Sequence, residues 1–234
     1  AGTEPRNAAA PNLQPGARIL ALTWDGETPR KVAERLVALG MGRSRLIVCE
    51  AMGGPRERRM ESTAADFQGV VDALNTLAIE VVADRCARIL PLACGLPDDL
   101  FEHDSQITKR EVRAITLSTL APRRGELLWD IGAGSGSISI EWMLRHPANR
   151  AIAIETRADR AARIGRNALE LGAPDLRIVE GAAPAVTLET QGEIMRRHVA
   201  MGGALTKIEI ARADPVGPFH GWRAAMPVMQ WSIV

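Results

Sequence analysis

The stretch LLWDIGAGSGSISIEW, residues 127–142, decides the fold of this chain. An apolar run ends at Ile131, glycines then occupy every second position, and a second apolar segment begins directly after Gly136. Glycine is required where a turn needs positive φ or where a ligand lies against the backbone. The free amides of a helix that begins there can face an anionic group. The stretch therefore predicts a β-strand, a ligand-binding loop and an α-helix.

Two kinds of ligand loop compete for this pattern. A dinucleotide-binding loop has the spacing G-x-G-x-x-G, whose third glycine would fall at Ser137. The chain instead has D-x-G-x-G-x-G, with an acid two residues before the first glycine. This spacing resembles the cofactor loop of class I methyltransferases, which bind S-adenosylmethionine. The predicted cofactor-binding residues of the loop are Asp130, Gly132, Gly134, Ser135 and Gly136, with Asp130 ordering the loop amides.

A further acid, Glu155, ends the next apolar run, residues 151–155. A carboxylate at the end of the second strand of such a unit can accept hydrogen bonds from both ribose hydroxyls of a nucleoside. By itself, Glu155 fits a solvated residue at the end of a strand as well as it fits a ligand contact. Beside the glycine loop, it predicts a second cofactor contact.

Strand and helix patterns alternate around this loop. Strands are predicted at 127–131, 151–155 and 176–179, and helices at 137–144 and 161–171. Residues 108–111, TKRE, fit a capping box at the start of an earlier helix. The alternation predicts an α/β fold with a parallel sheet and right-handed crossovers.

The chain before the loop predicts a second, smaller α/β unit. Strand patterns lie at 18–23, 45–51 and 77–83, and the first of these is expected to be buried. The Thr28–Pro29 pair starts a helix that ends at Gly40. The predicted organisation is a polar tail over residues 1–15, a lobe over 16–84, a linker rich in proline and glycine over 85–106, and a second domain over 107–234.

Composition argues against several functions. The 29 Lys and Arg residues balance the 28 Asp and Glu residues, and the chain has no basic, aromatic strip, so we expect no nucleic-acid partner. The three cysteines and four histidines lack ligand spacing, so no metal site is predicted. No signal peptide or long apolar run is visible, and we therefore expect a cytoplasmic protein without a membrane partner.

The residues from 107 onward resemble the decarboxylating precorrin methyltransferases of cobalamin biosynthesis. The resemblance is carried by ITKREVRAITLSTL (107–120), the loop segment, AIAIETRADRAARIGRNALELG (151–172) and RIVEGAAP (177–184). Earlier, LTWDGETP (22–29) and RLIVCEAMGGPRERR (45–59) are similar to the second half of the tetrapyrrole methylase domain fused upstream in that family. The resemblance implies a class I, Rossmann-like methyltransferase sheet preceded by an incomplete tetrapyrrole methylase lobe.

The resemblance also implies an activity and further site residues. The activity is methyl transfer from S-adenosylmethionine to C15 of a precorrin with loss of carbon dioxide from the acetate at C12, and to C5 in the full-length protein. Thr108 is placed near the cofactor, and the backbone of residues 180–184 lies against the adenine, with Gly181 and Ala182 in contact. The family's habit implies a homo-oligomer such as a tetramer.

A precorrin carries many carboxylates, so its pocket should contain arginine and lysine. The candidates are Lys109, Arg110, Arg113, Arg212 and Arg223. Methyl transfer to a nucleophilic carbon is an in-line displacement that depends on alignment, and no catalytic residue is assigned. Two alternatives stay open: a methyltransferase for another small molecule, and a non-catalytic scaffold that mediates assembly.

One departure from the class I pattern falls between Ala185 and Val186. A fourth strand, a helix and a turn into a fifth strand should follow Ala185, but the chain continues with residues that the family places at the end of that fifth strand. About 30 residues or more, one βαβ unit, are missing. Because their removal would expose strand edges and core, we expect the distance between these two Cα atoms to exceed the ~3.8 Å of a peptide bond.

The C-terminal residues predict the last two strands of the sheet. Residues 203–213 and 227–234 have strand patterns, which fit a sixth strand and an antiparallel seventh strand. The loop between them, residues 214–226, is long enough to be functional. We expect it to cover the substrate or a neighbouring subunit, with Trp222 buried.

Overall fold

A computed structural model describes residues 10–181, 188–216, 219–224 and 228–232. The chain divides into two compact units: among the described residues, unit 1 comprises 10–90 and unit 2 begins at Pro91. The division falls within the predicted linker, 85–106. Part of that segment is packed in unit 2 and is not only a linker, because Leu96 and Phe101 are buried there.

Unit 1 is an antiparallel sheet with one α-helix. Its elements are a 3-10 turn (Ala10–Asn12), β1 (Arg18–Leu22), α1 (Thr28–Ala38), β2 (Arg45–Glu50), β3 (Arg58–Thr63) and β4 (Asn75–Glu80). The strand order is β1-β4-β2-β3, and every neighbouring pair is antiparallel. Its core includes Leu36 of α1 with Leu46, Val48 and Leu77 of the sheet. The prediction of a buried first strand is wrong: β1 is an edge strand, and Leu20 and Leu22 are exposed.

Unit 2 contains the predicted alternation of strands and helices. Its elements are a 3-10 turn (Asp98–Leu100), α2 (Arg110–Leu120), β5 (Leu127–Ile131), α3 (Ser137–Leu144), β6 (Arg150–Glu155), α4 (Ala158–Leu171), β7 (Arg177–Glu180), α5 (Leu188–Met201), β8 (Ala204–Ile208), β9 (Ala211–Val216), β10 (Phe219–Ala224) and β11 (Val228–Ser232). Strands β5, β6 and β7 form a parallel sheet in that order. The predicted α/β fold with a parallel sheet is therefore confirmed.

The C-terminal strands form two antiparallel pairs. Strands β8 and β11 pair with each other, and β9 pairs with β10 in a hairpin. The predicted sixth strand, 203–213, is divided between β8 and the start of β9. Residues 214–226 are thus not a simple loop. The prediction of a buried Trp222 is wrong, since its side chain is 79% exposed. Among the described strands, β9 and β10 pair only with each other, which leaves this large side chain without a neighbouring strand to pack on.

A buried ion pair joins α2 to α3. Arg113 and Glu141 are both 0% exposed, and the Arg113 Nε donates to Glu141 Oε1 over 2.8 Å. Glu141 also accepts hydrogen bonds from the backbone N–H groups of Gly95 and Leu96, at 2.7 and 2.9 Å. The Arg113 guanidinium further donates to Asp98 and lies 4.9 Å above the ring of Phe101. This cluster fixes residues 95–101 onto both helices.

No helix among the residues that the structure describes is long and apolar enough to cross a membrane. Within the same ranges, no three His, Cys, Asp or Glu side chains are grouped so that they could hold a metal ion.

We expect Arg113→Ala to reduce the free energy of unfolding by about 3–5 kcal/mol, because the variant leaves the Glu141 carboxylate buried without its cation. The matched control is Arg110→Ala, one turn earlier on α2 and exposed, with a change within about 0.5 kcal/mol. Urea unfolding followed by tryptophan fluorescence measures this, since four of the five tryptophans belong to unit 2. Equal losses in both variants would contradict the prediction.

Candidate functional site

The glycine loop connects β5 to α3 and has the backbone conformation that its sequence predicts. Gly132, Gly134 and Gly136 have φ values of 78°, 59° and 74°, in the left-handed region that favours glycine. A Cβ on Gly136 would lie 2.7 Å from Cγ2 of Ile164 on α4. Glycine is therefore required at this position both by the turn and by the close approach of α4.

Asp130, at the end of β5, holds the start of α3. Its carboxylate accepts hydrogen bonds from the backbone N–H and the hydroxyl of Ser139, at 3.2 and 2.6 Å. The described contact is thus to the helix, one turn beyond the loop amides that were expected. Burial raises the pKa of Asp130, an effect that the hydrogen bonds from Ser139 oppose.

Glu155 lies against the glycine loop. It is 4% exposed at the end of β6, and one carboxylate oxygen accepts a hydrogen bond of 2.9 Å from the backbone N–H of Gly134. The other oxygen accepts one of 3.1 Å from the N–H of Arg157. Nearby, the N–H of Gly181 donates to the Glu155 carbonyl. The structure therefore brings together the loop, Glu155 and Gly181.

The residues before α2 flank the loop from another side. The carbonyl oxygen of Gln106 lies 3.9 Å from the position of a Cβ on Gly134. The carbonyl of Thr108 accepts a hydrogen bond from the Arg113 guanidinium. The capping box predicted from Thr108 does not form: Lys109 is the N-cap residue, and α2 has no side-chain cap.

The candidate substrate residues fall into three places. Lys109 pairs with Asp98 at 3.5 Å, and Arg110 is exposed at the first turn of α2. Arg113 is enclosed by its internal partners, so its guanidinium is not available to a substrate carboxylate. Arg212 and Arg223 are backbone register partners in the β9–β10 hairpin.

Two predicted features lie outside the described residues: the cofactor contact of Ala182, and the break between Ala185 and Val186.

One buried polar atom in the loop has no hydrogen-bond partner among the described residues. Ser135 is 2% exposed, and its hydroxyl is unpaired. A buried hydroxyl without a partner costs free energy, and a ligand at the loop could supply that partner. Together with the glycine backbone and the adjacent Glu155 carboxylate, the orphaned hydroxyl fits a small polar cofactor.

Sequence reasoning missed the contacts of residues 101–106 with α4. Asp104 lies near Arg160 and Arg163, at 2.9 and 3.3 Å. Burial alone would raise the pKa of Asp104, but hydrogen bonds from these arginines and from the Gln106 N–H outweigh it and lower the pKa to about 2. The available signal was the spacing of arginines at every third position of α4, opposite two acids in the supposed linker.

A parallel strand–loop–helix unit with this loop and an acid after its second strand defines a Rossmann-like, class I methyltransferase. The family described as precorrin methyltransferase domain matches residues 99–185 and, as a second segment, 183–234, more than half of the chain. The chain belongs to this family.

Relatives of this chain include two curated proteins and a solved structure. It is 51% identical to the precorrin-6Y C(5,15)-methyltransferase [decarboxylating] of Sinorhizobium sp over 269 aligned positions, which cover 97% of this chain. Identity to the Mycobacterium tuberculosis H37Rv protein of the same name is 34%, over 93% of this chain. In both cases the match spans 65% of the relative's length. The C-terminal domain of the Rhodobacter capsulatus precorrin-6Y C5,15-methyltransferase has 40% identity and a TM-score of 0.51, covering 61% of this chain and 98% of that domain.

We expect Gly136→Ala to destabilise the protein more than Gly125→Ala. Both glycines have positive φ, but a Cβ on Gly125 has nothing within 4 Å, whereas one on Gly136 meets Ile164. Backbone strain costs each variant roughly 1–2 kcal/mol, and overpacking adds about 1–3 kcal/mol at Gly136 alone. Urea unfolding of the two variants measures the difference. Equal destabilisation would mean that α4 moves away without cost.

Proposed function

We propose that unit 2 binds S-adenosylmethionine and methylates a carbon of a precorrin, with C15 methylation and loss of the C12 acetate carboxyl as its reaction. The observation that carries this is the Glu155 carboxylate, 2.9 Å from the N–H of Gly134 within a loop of three positive-φ glycines. Family membership supports the precorrin as substrate, because both curated relatives are named for this reaction.

The loop residues have separate roles in holding the cofactor. The backbone from Gly132 to Gly136 leaves room for its amino-acid end, and the unpaired hydroxyl of Ser135 can bond to it. Glu155 accepts hydrogen bonds from the ribose hydroxyls. Gly181, whose N–H donates to the Glu155 carbonyl, and Thr108, which precedes α2, are further proposed cofactor contacts. The bound sulfonium supplies an electrophilic methyl group.

Alignment and exclusion of water are the chain's contribution to methyl transfer. The electron pair of the substrate carbon forms the new bond, and the pair of the breaking carbon–sulfur bond stays on sulfur. In the decarboxylation, the electron pair of the released carboxyl passes into the conjugated tetrapyrrole, and the carbon that has lost carbon dioxide then takes up a proton from solvent. Neither step requires a nucleophilic side chain of the protein.

The hairpin β9–β10 supports a substrate rich in carboxylates. The backbone register pairs two basic positions, Arg212 and Arg223, and a pair of cationic residues suits a substrate rich in carboxylates. Lys109 and Arg110, at the start of α2, are further candidates for carboxylate contacts. Arg113 is not, because it is enclosed by Glu141 and Asp98.

We also propose that the chain lacks, between Ala185 and Val186, a segment that its family carries. The family match is divided at residues 183–185. The alignment to the Sinorhizobium relative has 269 positions, more than the 234 residues of this chain. Leu127, Trp129 and Ile131 of β5 are 51%, 62% and 41% exposed, on a face that further elements would cover. The missing βαβ unit would complete the sheet beside β5.

Glu155→Ala should weaken S-adenosylmethionine binding by roughly 2–4 kcal/mol, because two hydrogen bonds to a charged acceptor are lost. The matched control is Glu209→Ala, whose exposed carboxylate follows β8 and pairs with Lys207. Isothermal titration calorimetry measures both. Unchanged affinity in Glu155→Ala would remove Glu155 from the site, and no binding by the unaltered protein would favour the non-catalytic scaffold.

Arg212→Gln and Arg223→Gln should each raise KM for the precorrin about tenfold, through loss of a charge-assisted hydrogen bond, while the Kd of S-adenosylmethionine stays unchanged. Arg196→Gln, on α5 and exposed, is the control. Steady-state kinetics with varied precorrin provides the measurement. A precorrin KM that does not respond to either hairpin arginine would refute the carboxylate contact.

A further inference from the structure

Residues 101–106, termed the strap here, are fastened along one face of α4. Arginines at every third position of a helix share a face, and three of them pair with acids of the strap. Arg160 and Arg163 pair with Asp104, and Arg166 pairs with Glu102 at 2.7 Å. The ion pairs hold the strap, whose far end, Gln106, borders Gly134 of the glycine loop.

Asn167 connects the strap to the loop. It follows Arg166 on α4 and is 4% exposed. Its Oδ1 accepts a hydrogen bond of 2.8 Å from the N–H of Glu102, and its Nδ2 donates to the Glu102 carbonyl at 3.0 Å. The same Nδ2 donates to the carbonyl of Ser135 at 2.9 Å. One buried amide therefore binds both backbone groups of a strap residue and the backbone of the loop.

The contact with Ser135 fixes the orientation of a peptide group in the loop. The Ser135–Gly136 peptide has its carbonyl bound by Asn167, while its N–H donates to the Ala133 carbonyl at 2.8 Å. On the other side of the loop, the N–H groups of Gly132 and Ala133 donate to the Ile154 carbonyl. Without Asn167, the Ser135 carbonyl would lose its described partner, and the peptide could rotate about backbone bonds that glycine leaves permissive.

We propose that Asn167 is a positioning residue for the amino-acid end of the cofactor, acting through the Ser135–Gly136 peptide and the strap. This rests on the proposed function, in which the glycine loop receives that end of S-adenosylmethionine. Asn167 does not touch the cofactor. It holds the loop backbone, with the unpaired Ser135 hydroxyl, in the conformation that the ligand meets.

The substitution Asn167→Asp separates this role from general stability. It keeps the size of the side chain and the acceptor toward Glu102, but its carboxylate cannot donate to the carbonyls of Glu102 and Ser135. The Ser135–Gly136 peptide then loses the hydrogen bond to its carbonyl, and the carboxylate repels that carbonyl oxygen. Arg166→Ala is the matched control, since it removes a neighbouring strap contact and leaves the amide network in place.

The test compares two ligands by calorimetry: S-adenosylhomocysteine, and 5′-methylthioadenosine, which lacks the amino-acid end. The measured quantity is the ratio of the two Kd values, which does not depend on the fraction of folded protein. We expect Asn167→Asp to reduce the preference for S-adenosylhomocysteine about tenfold, equivalent to roughly 1.4 kcal/mol, and Arg166→Ala to leave it unchanged. If Asn167→Asp does not fold, Asn167→Ser should show the same loss of preference.

Each outcome bears on a distinct claim. A preference that is unchanged in the folded Asn167 variant, with both ligands weakened equally or not at all, would overturn the positioning role and leave the proposed function intact. If the unaltered protein binds neither ligand, the proposed function itself fails. A preference lost equally in Arg166→Ala would assign the effect to the strap as a whole and overturn the specific role of Asn167.

Discussion

Helix α4 packs so closely on Gly136 that a methyl group there would lie 2.7 Å from Ile164. Because the helix lies this near, the side chain of Asn167, one turn later, reaches the carbonyl of Ser135. The arginines on the same helix then reach the acids of the strap. A helix held further away would leave both the loop backbone and the strap without these partners, so the candidate site depends on the absence of a side chain at Gly136.

The features that were predicted from the sequence are those whose signal is local. Glycine spacing and the strand–helix alternation are local signals, and they correctly predicted the positive-φ loop and the parallel strands. The cofactor contact of Glu155 stays a prediction, and its carboxylate lies beside Gly134. Family resemblance added the class of methyltransferase, which the family match confirms.

The features that escaped prediction depend on contacts between distant residues or on the environment of one side chain. Asp104 meets Arg160 across 56 positions, so the acids of the strap were read as part of a linker. Arg113 was predicted as a candidate for binding a substrate carboxylate, but a buried carboxylate from the next helix encloses it. Trp222 was expected to be buried. The pattern of residues 214–226 did not predict the β9–β10 hairpin, in which this side chain is exposed.

The unpaired hydroxyl of Ser135 has a thermodynamic consequence for the free protein. A buried polar group without a partner costs about 1–3 kcal/mol, and the folded chain carries that cost at the centre of its glycine loop. A ligand that bonds to this hydroxyl relieves the cost and gains the same amount in affinity. Under the proposed function, the loop would exchange some resistance to unfolding for affinity toward its cofactor, a balance common where proteins keep polar groups ready for function.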